Sequence, residues 1–183
     1  MPRFDIELSP VDHITIDAIG PKGKRVFYIQ GTQEHQIVTL IAEKFQIQAL
    51  AIAIEQFLEE IANRFSELPE LSGEYQEDIM RIIPPVDPLC RLADIGIGYD
   101  IENDRAVLII HELLPENIET LDDDVAQEPG TVRFSCTREQ LQALGHWGAE
   151  VTKRGRPICT QCGQPEEPEG HFCVKKNGGH KHN

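Results

Sequence analysis

The chain has 183 residues, 40% of them hydrophobic and 26% charged, which is enough for one well-filled core and a small appendage. A formal net charge of −14 sets it against nucleic acid and anionic membrane, and no apolar run reaches the ~18 residues of a membrane span. Five cysteines, three of them within residues 159–173, fit a reducing cytoplasm better than a disulfide framework, and "MPRFDIELSP" lacks the apolar stretch of a secretory signal.

The first half opens with strand patterns. "HITIDAI" (13–19) alternates, "RVFYIQ" (25–30) is β-branched and aromatic, and "HQIVTLIA" (35–42) is a third strand. "GPKGK" (20–24) and "GTQE" (31–34) between them carry hairpin-turn chemistry. The period then changes. Ile47, Leu50, Ile54, Phe57, Leu58, Ile61 and Phe65 recur at three- and four-residue spacing, which predicts a helix over 43–65 with one apolar face.

Residues 66–88 hold Pro69, Pro84, Pro85 and Pro88, which forbid a helix or a central strand there. The same order of elements follows. "RLADIGIGYD" (91–100) and "AVLIIHEL" (106–113) read as strands around an "ENDR" turn. An acidic loop, 115–130, precedes the strand "TVRFSC" (131–136). Thr137 opens a second helix with Gln140 as capping-box partner, and Leu141, Leu144, Trp147, Gly148 and Val151 form its inner face.

"QIQAL" (46–50) and "QLQAL" (140–144) align, and Val38 and Leu40 then fall opposite Val132 and Phe134. Together with the repeated order, this predicts an internal duplication. The expected fold is α+β. Two β-β-β-α units, 13–65 and 91–154, share a six-stranded, antiparallel-rich sheet with both helices on one face. The domain spans 1–156, followed by a zinc-ribbon-like module at 157–176 and a flexible tail at 177–183.

That module rests on "CTQCGQPEEPEGHFC" (159–173). Cys159 and Cys162 have the C-x2-C spacing that turns two thiolates onto one metal, and Gly163 tolerates the backbone such a loop needs. His171 and Cys173 complete a Cys3His set for tetrahedral Zn(2+), with His180 and His182 as rivals for the histidine place. A redox C-x-x-C pair would open a helix, which Gly163 and Pro165 oppose. With all four places filled by protein, the metal is expected to be structural.

The other polar residues suggest less. Cys90 and Cys136 read as small core residues beside strands. His13, His35, His111 and His146 read as structural or surface histidines, and Asp122, Asp123 and Asp124 as a solvated loop. "GPKGK" lacks the length and the following helix of a phosphate loop.

Taken together, "GPKGKRVFYIQ", the "EKFQIQALAIAIEQFLEEI" helix, "RLADIGIGYD" and the terminal "GRPICTQCGQPEEPEGHFC" resemble an uncharacterised bacterial, mainly actinobacterial, family of conserved hypothetical proteins. The resemblance covers nearly the whole chain and implies metal ligands at Cys159, Cys162, His171 and Cys173. Tyr99 and Cys90 depart from it, standing where tryptophan and an aromatic residue are expected. It implies no reaction. It does imply a pathway shared with a phosphatidylinositol-kinase-like protein and a phosphomutase-like protein.

Three functions compete. The favoured one is a cytoplasmic binding or accessory protein with a structural zinc, its partner another protein. The second is an enzyme of phosphate or phosphosugar metabolism using Lys22, Lys24, Arg25 and a carboxylate at the sheet rim. The third is nucleic-acid binding through the basic terminus. Six Lys/Arg and three Glu give residues 151–183 a net +3, but the remaining −17 argues against this.

Overall fold

The computed structural model describes residues 3–114 and 128–155. It is mixed α+β, with seven strands and two helices among the described residues. The strands are β1 (Asp5–Leu8), β2 (His13–Ile19), β3 (Val26–Gln33), β4 (Gln36–Ala42), β5 (Pro88–Asp100), β6 (Arg105–Glu112) and β7 (Thr131–Cys136). The helices are α1 (Lys44–Arg64) and α2 (Arg138–Lys153). β1 has no counterpart in the sequence reading, so the sheet has one strand more than the six expected.

The sheet order is β1-β7-β6-β5-β4-β3-β2, so strands adjacent in sequence lie at opposite ends. A flat sheet of this width would separate those ends by about 29 Å. The link from Leu8 to His13 can span only about 18 Å. The sheet therefore curls until its ends meet. Val11 N–H donates to the Ser135 carbonyl at 2.8 Å, and Asp12 N–H to the Thr32 carbonyl at 2.8 Å. β1 and β2 are thus two legs of one bent strand, paired in parallel with β7 and antiparallel with β3. β5 is likewise shared between two neighbours, with a register irregularity at Leu92/Asp94. Its first leg pairs in parallel with β4 as far as Arg91, and its second pairs antiparallel with β6.

The same arrangement thus occurs twice, and the helices repeat it in detail. Gln46 Oε1 accepts from Glu43 N–H at 2.8 Å, while its amide nitrogen donates to the Leu92 and Ala93 carbonyls at 3.4 and 3.0 Å. Gln140 Oε1 accepts from Thr137 N–H at 2.9 Å, and its amide donates to the Val11 and Asp12 carbonyls at 3.4 and 3.2 Å. Each glutamine closes its helix's first turn and pins the corner where a strand passes from one neighbour to the next.

One core results. Leu8, Ile16, Ile29, Leu40, Leu108, Ile110 and Phe134 from the sheet meet Ile47, Ile54, Leu141, Leu144 and Trp147 from the helices, all essentially without solvent contact. Curling brings β3 against β7 so closely that a Cβ on Gly31 would lie 2.5 Å from the Phe134 ring. Only glycine fits there. Gly145 lies against Ile54 and Gly148 against Ile47, so the helices run antiparallel at close range.

The proline-rich connector 65–87 wraps the β2 edge and then crosses the outer face of β2 and β3. Thr15 Oγ1 donates to the Met80 carbonyl at 2.6 Å, and Asp17 accepts from Ile82 N–H at 3.2 Å. Gln30 exchanges hydrogen bonds with Ile83 at 2.8 and 2.9 Å. Thr15, Asp17 and Gln30 are therefore buried on the face that alternation assigns to water.

Candidate functional site

The described thiols are chemically quiet. Burial, with Glu112 nearby, pushes Cys90 up to about 11, and burial pushes Cys136 up to about 12. Neither is a ready nucleophile at neutral pH. His111 sits on an open strand face, its Nδ1 at 2.8 Å from Asp94. The Nε2 of His13 meets the Ile79 carbonyl at 2.7 Å, a bond that secures the connector. His35 lies in the β3–β4 turn, and His146 is exposed beside the Tyr75 ring at 6.4 Å.

Basic groups gather at the end of α2. Arg25, just after the "GPKGK" turn, donates to the Val151 carbonyl at 3.3 Å, and the Lys44 ammonium and Arg25 both lie beside Gly155. The guanidinium groups of Arg154 and Arg81 stand 4.8 and 5.3 Å from the centre of the Trp147 ring. Tyr75 meets the same indole edge-on at 6.1 Å. Arg154 is held by Glu77 at 2.7 Å, a bond that raises its already high pKa. Cations here answer the negative end of the helix, and they aromatically clamp Trp147, which is fully buried. Lys44, Tyr75 and Arg81 escaped the sequence reading because their meeting is entirely long-range.

A second network joins α2 to the β5–β6 turn. Arg138 is 7% exposed and holds Asp104 through Nε at 2.8 Å and Nη2 at 3.3 Å, while the Tyr99 hydroxyl donates to the same carboxylate at 2.6 Å. The Arg138 bonds, then that of Tyr99, hold Asp104 below the usual carboxylate range. Burial and this partner push Tyr99 up to about 12.

Two concavities flank α1. A groove of about 550 Å3 lies between the helices, floored by Ala51, Gly145 and Ala149 and edged by Glu55, Glu59 and His146. A smaller one of about 200 Å3 lies between α1 and β5, lined by Phe45, Ala49, Ala53, Ile95 and Ile97 with Gln46 and Asp94 at its rim. Phe45 and Ile52 are 67% and 58% exposed, so the first half of α1 leaves two large apolar side chains in solvent among its polar ones.

Cys159, Cys162, His171 and Cys173 lie outside the described residues, as do His180, His182 and Asp122–Asp124. Among the described residues no group of three His, Cys, Asp or Glu side chains could hold a metal. No described helix is long and apolar enough to cross a membrane.

No curated protein and no solved structure matches the chain. One family does, described as "Protein of unknown function (DUF3090)", over residues 6–173. That span takes in all seven strands but for Asp5 of β1, both helices and the cysteines at 159, 162 and 173, and the chain belongs to this family.

Proposed function

We propose that the chain is a cytoplasmic binding or accessory protein whose terminus holds one structural Zn(2+) through Cys159, Cys162, His171 and Cys173. The observation that carries this reading is the C-x2-C and H-x-C spacing around Gly163 and two prolines, Pro165 and Pro168. A Cys3His set leaves no open place for water or substrate, so the metal holds the terminus together and does no chemistry. The core supports a binding role. Its described thiols stay protonated, Arg25 is engaged at a helix end, and the apolar ground lies on the surface of α1. The two β-β-β-α halves are proposed to be copies of one ancestral unit, which is why "QIQAL" and "QLQAL" perform the same task at two corners.

Metal analysis of protein purified without added zinc tests the site. The expected result is one zinc per chain, lost when any of the three cysteines or His171 is replaced by alanine. Loss on His180→Ala with retention on His171→Ala would move the fourth ligand. Less than half an equivalent, with freely reactive thiols, would overturn the site.

A further inference from the structure

The two halves differ in one place that matters for binding. Since Gln46 and Leu50 of α1 stand where Gln140 and Leu144 stand in α2, Ala53 occupies the position of Trp147. On α2 that position is filled: Trp147 is fully buried, Tyr75 closes over its edge, and Arg81 and Arg154 stack on its face. Tyr75 and Arg81 belong to the connector that wraps the β2 side. On α1 the position is exposed, and beside Ala53 lies the groove of about 200 Å3 walled by Phe45, Ala49, Ile95 and Ile97. Among the described residues, no side chain fills this groove, whereas the other half fills its counterpart with an aromatic ring.

The adjoining strand has an open edge among the described residues. β5 pairs with β4 only as far as Arg91, so among the described residues 94–100 have a strand partner on the β6 side alone. An edge of that kind accepts an extended segment through its backbone, with neighbouring pockets selecting side chains. The groove is smaller than the roughly 300–1,000 Å3 of pockets that enclose whole small-molecule ligands. Its size suits one large side chain.

We propose that the groove between α1 and β5 receives an aromatic side chain of a partner protein, carried on an extended segment that lies along β5 and holds a basic residue beside the aromatic. The basic neighbour follows from the charge of this chain, −14, from Asp94 at the rim, 68% exposed, and from the arginines that flank Trp147 in the filled half. A second copy of the chain fits less well. Phe45 is the one aromatic among its large exposed apolar side chains in the described region, and Phe45 already forms a wall of the groove. This inference rests on the reading of the chain as a binding protein and gives that reading a location.

The test is an amide NMR titration of the full chain with N-acetyl-tryptophanamide, and with N-acetyl-leucinamide as comparison. The expected result is saturable shifts at Ala49, Ala53, Ile95 and Ile97, with the leucine probe binding roughly fivefold more weakly. Ala53→Trp, which supplies the missing ring from within, should abolish them; should that variant not fold, Ala53→Leu obstructs the same space. Shifts that never saturate, equal binding of the two probes, or binding that survives in a folded blocked variant would overturn the proposal. So would probe-free shifts at these residues that grow with protein concentration, which would make this a face between copies. Co-purification from the native cell tests the binding role separately, since an accessory protein that docks elsewhere would capture its partner equally well with Ala53→Trp.

Discussion

Asp104 has a backbone φ of 49°, a conformation that asparagine and aspartate tolerate best, so its side chain can be changed to asparagine without new backbone strain. Asp104→Asn removes the charge that Arg138 faces from a nearly buried position. Stability should fall by about 1–2 kcal/mol, near the lower end for a charged partner because Asp104 is itself 43% exposed. The pH dependence follows from the direction of the shift. A carboxyl held below its ordinary value near 3.9 stabilises the fold fully above that value and loses its contribution as pH falls through the lower folded one. Urea unfolding at pH 7 and in steps down to pH 3 should therefore show the variant losing less stability in acid than the parent. An identical acid limb in both would exclude Asp104 as its source. Nothing in "ENDR" announces this network beyond a turn, because Arg138 and Tyr99 reach Asp104 only through the fold. Thr137 and Gln140 were readable as a capping box because a cap is local chemistry, three residues end to end.

At the scale of the element, the two glutamines make a sharper claim. Gln46→Ala and Gln140→Ala each remove a helix-capping bond and two bonds to a strand corner, so each should cost about 1–2 kcal/mol. Gln48→Ala, on the exposed side of α1, should stay within about 0.5 kcal/mol. Chemical denaturation of the three variants checks this, and a Gln46 variant as mild as the Gln48 one would remove the corner from the account. Both helices were legible because burial on one face imposes a 3.6-residue period, and Ile47, Leu50, Ile54, Leu58 and Ile61 are indeed buried. β1 was not legible. Four residues with only Leu8 fully buried carry no period, and their pairing with β7 is a contact across most of the chain. In "HITIDAI" the alternation is genuine, but its polar side is buried as well, under a connector whose prolines revealed only what it could not be.

For the whole molecule, the closed curl of the sheet leads to the expectation that the described core stands alone. The ends of the strand order meet, two antiparallel helices cover the inner face, and among the described residues every large side chain that is fully buried belongs to residues 8–147. A chain ending at Gly155 is therefore expected to keep the core, while the proposed ribbon of some twenty residues would have too little apolar surface to order itself and would draw on its metal. The mixed α+β order of strands and helices was legible from sequence, apart from β1. The curl was not, because it depends on which strands meet across the sheet. The most direct test of a self-sufficient core with a separable zinc module is amide hydrogen exchange on the full chain, before and after a strong chelator removes the metal. Protection should be lost over residues 157–176 and kept in β2–β7 and both helices. If chelation instead strips protection from α2 and the strands beneath it, the metal site is part of the core and the two-module account fails.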